Sequence, residues 1–188
     1  MKKTFYFVRH GETDWNLKGL FQGQKDIPLN ENGISQAKQL SEYLKEKNKK
    51  FSCVYSSPLK RAIQTSEILA RDLNLKIFTS DLLKEVSFGD LEGTKVQKEK
   101  FFFDGPEYLK LEFPNGESMK DAFERVENFL SQLSLDVDNV LIVAHGALFK
   151  AVLERNAVKD SNKYVRNCTC VSFQYDTESK KLSAFEIL

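Results

Sequence analysis

Two stretches of the chain are too apolar to lie on a protein surface. Phe5-Tyr6-Phe7-Val8 and Val140-Leu141-Ile142-Val143-Ala144 contain no charge, and their aromatic and β-branched side chains favour extended backbone. A strand with apolar side chains on both faces needs cover on both, which is the situation of a mostly parallel sheet between helices. The sequence supplies the cover. Ile34, Ala37, Leu40, Tyr43 and Leu44 recur at helical spacing to about Asn48, and Leu59, Ala62, Ile63, Leu69 and Leu73 do so to about Asn74. Met119, Ala122, Phe123, Val126, Phe129, Leu130 and Leu133 form a third stripe, and Gly146 opens a further helix to about Arg155. Short strands are expected at 51–55 and 75–78, and Cys168–Tyr175 and Leu182–Ile187 read as a hairpin across the polar turn 176–180. This alternation predicts a three-layer α/β/α fold with a mostly parallel central sheet and an antiparallel edge strand. One domain spanning residues 1–188 is expected, with the irregular segment 94–117 as a lid insertion.

Local signals mark the helix starts. Residues 11–31 are rich in Gly, Asn, Asp and Gln and read as a loop that ends at Asn30-Glu31-Asn32-Gly33. In Ser56-Ser57-Pro58, Ser57 is expected as the N-cap and Pro58 as the first helical residue, where a missing N–H costs nothing.

Composition excludes several classes of partner. There are 28 basic and 27 acidic residues, a net charge of +1, so neither nucleic acid nor an anionic membrane is expected as a partner. No apolar run approaches a membrane span. The three cysteines, without a secretory leader, argue against a disulfide framework. Cys168 and Cys170 are expected to share one face of a strand as packing residues. With two histidines in the chain, no metal site is expected. A cytoplasmic location follows from these readings, and a homodimer is left open.

The chemistry concentrates at strand ends. The first buried strand ends Arg9-His10-Gly11 and the later one ends Ala144-His145-Gly146, so both histidines follow a buried strand and precede a glycine. In an open α/β sheet, ligands collect beyond the carboxyl ends of the strands. Arg61 falls in the first turn of a helix that begins after another strand, where an arginine and the positive helix end face the same space. Two guanidiniums, two imidazoles and a helix N-terminus describe a pocket for a dianionic tetrahedral group. The chain has neither the GxxxxGK[ST] loop nor a Gly-rich dinucleotide fingerprint. With no metal or nucleotide signature, phosphoryl transfer needs a nucleophile from the protein, and neutral imidazole is the candidate.

These residues resemble a known family. Arg9-His10-Gly11-Glu12-Thr13 matches the signature of the histidine phosphatase superfamily, the phosphoglycerate mutase-like proteins. Asp14-Trp15-Asn16, Gln22-Gly23, Asp26, Pro28–Gly33, Ser56–Thr65, Glu85, Phe88-Gly89, Leu91–Gly93, Gly116–Ser118, Arg125 and Val143–Gly146 continue the likeness over nearly the whole chain. The resemblance implies the phosphoglycerate mutase-like fold and no cofactor. It implies His10 as a nucleophile that becomes phosphohistidine. It places Arg9, Arg61, His145 and Asn16 around the phosphoryl oxygens, with Gln22, Gly23 and Gly146 lining the same site. It implies Glu85 as the acid that protonates the leaving oxygen and then deprotonates water, with Glu12 and Glu92 as rival carboxylates. The substrate class implied is a small-molecule phosphomonoester.

The family contains phosphatases and mutases. Its mutases are longer, with an insertion after the block that carries the acid, whereas Thr94–Asn115 alone separates Gly93 from Gly116 here. That favours metal-independent hydrolysis. A mutase-type transfer and a non-catalytic phosphoryl-binding protein are the alternatives. Leu20 departs from the family pattern, which often has arginine just before the Phe-Gln-Gly stretch, and this bears on substrate preference. Lys98–Phe103 is expected over the pocket mouth, with its three Phe either touching substrate or packing the lid.

Overall fold

The computed structural model describes residues 1–101, 103–133 and 137–188, with Lys98 and Glu99 described by backbone alone. Six strands form one sheet: β1 (Lys2–Arg9), β2 (Val54–Ser56), β3 (Ile77–Thr79), β4 (Val140–Ala144), β5 (Cys170–Asp176) and β6 (Leu182–Ile187). Their order is β3-β2-β4-β1-β5-β6. Pairing is parallel from β3 through β1 and antiparallel for β1–β5 and β5–β6. The antiparallel edge is thus a hairpin, in which β5 alone runs against the rest. The main helices are α1 (Asp14–Leu17), α2 (Glu31–Glu46), α3 (Lys60–Leu73), α4 (Lys98–Phe101), α5 (Met119–Gln132) and α6 (Gly146–Arg155). No helix among the described residues is long and apolar enough to cross a membrane.

Strand periodicity sorts the core into two halves. Tyr6, Val8, Leu141 and Val143 face α2 and α3, packing with Leu40, Leu44, Ala62 and Leu69. Phe5, Phe7, Val140, Ile142 and Ala144 face α5 and α6, packing with Phe123, Val126, Leu148 and Val152. The Phe7 ring stacks on Phe149 of α6 at 3.8 Å between centroids. After β1 the chain crosses to the α2 face, and after β4 it crosses to the α6 face. The carboxyl ends of these adjacent strands therefore open a crevice between diverging connections, the usual ligand position in such sheets.

Two expectations need correction. Ser57 is not the N-cap of α3: that position is Leu59, with no capping side chain of its own. Asp26, from the loop after β1, accepts the Lys60 N–H at 2.7 Å instead. The Ser57 hydroxyl is engaged elsewhere, as described below. Cys168 does not share the strand with Cys170, because it precedes β5 with a left-handed φ of 51°. Its N–H reaches the Arg9 carbonyl at 2.9 Å, and that turn carries the chain across the end of β1.

The segment 94–117 holds α4 and a 3-10 turn at Pro106–Lys110. Phe101 packs on Phe21 and Phe113, and Phe103 packs on Tyr108. Phe102 lies outside the described residues. The fully buried Lys150 of α6 bonds Asp104, Glu154 and Ser161 and ties the segment's base to the body.

The turn after β1 passes very close to the start of α2. A Cβ on Gly11 would sit 2.4 Å from the Gly33 carbonyl oxygen, and one on Gly33 would sit 2.1 Å from the Glu12 carbonyl oxygen. Both contacts are with backbone, so neither can be relieved by a side-chain rotation. Gly33→Ala should therefore destabilise the protein by about 1–3 kcal/mol, as overpacking of a rigid contact does. Chemical denaturation measures this, and an unchanged midpoint would show that the contact can relax.

Candidate active site

The parallel register sets the site. Arg9 pairs with Ala144, and the His10 N–H continues the ladder to the Ala144 carbonyl at 3.0 Å. His10 and His145 thus leave neighbouring strand ends side by side, with ring centroids 5.2 Å apart. β2 ends on the same edge, where the Ser57 N–H reaches the Val143 carbonyl at 3.0 Å. Arg61 follows in the first turn of α3. Two residues, then, are brought to His10 by strand order and one by a helix start.

Burial of this cluster is nearly complete: exposure is 0 % for Arg61 and His145, 2 % for His10 and 7 % for Glu85. Arg61 donates from Nε to His10 Nε2 at 3.2 Å and from its two terminal nitrogens to the carbonyls of Lys25 (2.8 Å) and Gly23 (2.7 Å). Guanidinium is a pure donor, so His10 Nε2 must be the acceptor and carries no proton. The proton resides on Nδ1, which donates to the Gly11 carbonyl at 2.7 Å. Burial, then Arg61 and Arg9, hold the His10 pKa well below 6.5, against the opposing Gly11 hydrogen bond. His10 is therefore neutral, with its lone pair on Nε2. Burial also pushes Arg61 down to about 10, although Glu85 opposes the shift.

His145 lies behind this surface, with Nε2 and the Ser57 hydroxyl 2.7 Å apart. Burial, then Arg61, His10 and Arg9, keep it neutral. Ser57 Oγ also accepts the Leu59 N–H at 3.3 Å, so its hydrogen is free to go to His145 Nε2. That leaves the proton of His145 on Nδ1. His145 Nδ1 and Arg9 Nε are both buried without a partner, two donors in a cluster that fits an oxyanion. Arg9 Nη1 is anchored on the Val165 carbonyl at 2.7 Å. Its guanidinium crosses the start of α6, where a Cβ on Gly146 would lie 3.1 Å from Nε.

Glu85 caps α6. One carboxylate oxygen accepts from Val86 and Leu148 N–H, both at 2.9 Å, and the other from Ala147 N–H at 3.2 Å. Those bonds and Arg61 favour the anion, yet burial outweighs them and the pKa is raised above 4.5. The rivals are occupied elsewhere. Glu12 accepts from the Asn30 and Asn32 amides, and Glu92 from the backbone of Gln24 and Phe88. Glu85 is the one carboxylate among the described residues lining the cavity, which has a volume of about 400 Å³ and also contacts Arg9, His10, Asn16, Arg61 and Gly146.

The chain as a whole is similar to known proteins. The model of the histidine phosphatase superfamily (branch 1) matches residues 5–187. The chain belongs to the histidine phosphatase superfamily. Among its relatives is a Bacillus subtilis protein named uncharacterized phosphatase PhoE, 40 % identical over 78 % of this chain and 73 % of that protein. A putative phosphoserine phosphatase 2 of Hydrogenobacter thermophilus is 36 % identical, covering 80 % of this chain and 77 % of that protein. A phosphoglycerate mutase of Schizosaccharomyces pombe is 35 % identical, covering 78 % and 75 %. The solved phosphoserine phosphatase of Entamoeba histolytica, in complex with 3-phosphoglyceric acid, superposes with a TM-score of 0.75 at 28 % identity over 97 % of this chain and 96 % of that one. The protein is an enzyme of this superfamily, whose members include phosphatases and mutases.

Within this member of the superfamily, most of the expected site residues line one cavity: Arg9, His10, Asn16, Gln22, Gly23, Arg61, Glu85 and Gly146. Two have more specific tasks than expected. The Gly23 carbonyl anchors Arg61, and Gln22 accepts from the Thr13 hydroxyl at 2.9 Å. His145 is not on the cavity wall. Residues with no role expected from sequence also support the cluster. Thr65 accepts the Gly11 N–H and donates to the Arg61 carbonyl, and Asn167 donates to the His10 carbonyl at 2.8 Å and to Asn16 Oδ1 at 3.4 Å. The spacing of Thr65 four residues after Arg61 could have signalled this contact. Asn167 carries no local signal.

Both histidines have folded pKa values below their ordinary 6.5. The unfolded chain therefore binds more protons just below pH 6.5, and stability must fall as pH drops through that value, by up to about 1.4 kcal/mol per unit per histidine. Glu85, with its pKa raised above 4.5, works in the opposite direction. Urea titrations from pH 7.5 to 5.5 should show falling midpoints in the wild type. His10→Asn/His145→Asn should flatten the slope, and an unflattened slope would mean the imidazoles are not held neutral.

Proposed function

We propose that the protein is a metal-independent phosphomonoesterase that works through a phosphohistidine on His10. The observation that carries this reading is the state of His10: neutral, protonated on Nδ1 by its bond to the Gly11 carbonyl, with Nε2 turned to Arg61 in a cavity shared with Arg9 and Glu85. In the free enzyme the Arg61 N–H masks the nucleophilic lone pair. A phosphoryl oxygen is the stronger acceptor and draws that N–H away, so binding exposes Nε2 to phosphorus.

The Nε2 lone pair then forms the P–N bond while the P–O ester bond breaks. The proton of a protonated Glu85 goes to the leaving oxygen. Arg9 and Arg61 stabilise the charge on the equatorial oxygens, with Asn16 as a neutral donor and His145 in support behind the cavity wall. In the second half, Glu85 carboxylate takes a proton from water, the water oxygen bonds to phosphorus, and the P–N bond breaks. Inorganic phosphate leaves, and His10 and Glu85 return to their starting states. Hydrolysis rather than return to a second substrate position is supported by the short Thr94–Asn115 segment and by the phosphatase relatives.

Rapid denaturation at alkaline pH, where a P–N bond survives, after mixing with ³²P-labelled ester should leave acid-labile label on His10, and His10→Ala should abolish both label and turnover. A fully active His10→Ala would overturn the mechanism. EDTA should leave the rate unchanged. Glu85→Gln should lower kcat for alkyl phosphates by about 10²–10⁴, the usual contribution of a positioned acid. It should cost far less with 4-nitrophenyl phosphate, whose leaving group needs no proton. It should also remove the fall in activity on the alkaline side of the raised Glu85 pKa. Equal losses on both substrates would assign the proton transfer to another group, and isomerisation of phosphoglycerate without phosphate release would assign a mutase.

A further inference from the structure

We infer that the group esterified to the phosphate is a neutral, largely apolar alcohol with no second anionic substituent; this deepens the phosphomonoesterase reading and rests on it. The cavity is chemically lopsided. Among the described residues that line it, Arg9 and Arg61 are the only Arg or Lys side chains, and both belong to the cluster around His10. The remaining wall is formed chiefly by Leu20, Phe21, Phe88, Val96 and Val165.

That apolar wall is built, not loosely arranged. Residues 19–21 and 94–96 are paired by backbone. Val96 N–H donates to the Gly19 carbonyl at 2.9 Å, Phe21 N–H to the Thr94 carbonyl at 3.0 Å, and Leu20 bridges Lys95 in antiparallel fashion. Phe21 packs against Phe88 at 4.8 Å between centroids, and Phe88 is in turn edge-on to Phe113 at 4.8 Å. Leu20 and Val96 are therefore held on a fixed ribbon in front of fixed rings.

A carboxylate or second phosphate on the leaving group would be taken out of water against these side chains. Glu85, the one carboxyl among the described residues lining the cavity, offers it no positive partner. Burying an anion without a cation costs several kcal/mol, whereas an alkyl or aryl group gains on the same surface. Asn162, also on the wall, gives one amide N–H to Asp104 at 3.3 Å. Its carbonyl oxygen and second N–H remain, a neutral donor and acceptor pair that suits a hydroxyl and supplies no positive charge.

A matched pair of esters isolates the charge: phenyl phosphate and 4-carboxyphenyl phosphate. The carboxylate should lower kcat/KM by about tenfold or more in the wild type, a modest share of the cost of an unpaired buried anion. Leu20→Arg, which places a cation on the apolar ribbon, should shrink that ratio severalfold or reverse it. Benzylphosphonate and 4-carboxybenzylphosphonate, which cannot be hydrolysed, should show the same ordering of Kd by calorimetry. Equal or better use of the carboxylated ester, with equal phosphonate binding, would overturn the inference and leave the phosphatase reading intact. Ordered phosphonate binding with no turnover of either ester would overturn the phosphatase reading and sustain the inferred ligand class.

Discussion

Arg61 is the contact on which the rest of this site depends. A fully buried guanidinium is tolerable only when its N–H groups are met, and here they are met by two loop carbonyls and an imidazole nitrogen. Each partner is fixed as a consequence. The loop after β1 is pinned through Gly23 and Lys25, and His10 is forced into the tautomer with a free electron pair on Nε2. Burial, reinforced by the same positive charge, lowers the pKa of both histidines. One side chain at the start of α3 thus decides loop position, tautomer and charge state together.

Glu85 shows how a helix terminus can serve two ends. Its carboxylate takes the place of a capping side chain at α6, where His145 occupies the N-cap position without making a capping bond. That geometry fixes the carboxyl at the cavity wall. Three N–H donors and Arg61 favour the anion while burial favours the acid, and the balance leaves the pKa raised. A carboxyl whose acid form is favoured more than usual suits the proton donor proposed above. Asp26 repeats the capping logic at α3, where a carboxylate from a distant loop serves the helix start that carries Arg61.

Much of this was legible in the sequence because it is written in local pattern. The charge-free runs at 5–8 and 140–144, followed in each case by His-Gly, place both histidines at buried strand ends, and parallel pairing makes those ends neighbours. Arg61 near a helix start was readable from Ser-Pro punctuation, and its helix does begin at Lys60. The role of Ser57 was misread, because a serine before proline carries the same capping signal whether or not a distant histidine claims its hydroxyl. Cys168 was misread for a related reason: alternation continues through residues 168–170, but the backbone turns at Cys168 to cross the end of β1. The choice among Glu12, Glu85 and Glu92 rested on likeness to the family; all three carboxylates accept hydrogen bonds, and of the three Glu85 is the one on the described cavity lining.

By itself the sequence determined the alternation of strands and helices, the two-sided burial of the central strands, and the set of cations and imidazoles placed at their ends. Those features follow from residue periodicity and steric preference, which act over a few neighbours along the chain. The tertiary structure alone decided which partner each polar atom meets: Asp26 on α3, Ser57 on His145, Asn167 on His10, and the apolar ribbon of Leu20 and Val96 across the cavity. Such pairings join residues tens of positions apart. They are settled by the need to satisfy every buried donor at once, a condition on the whole fold that no short window of sequence contains.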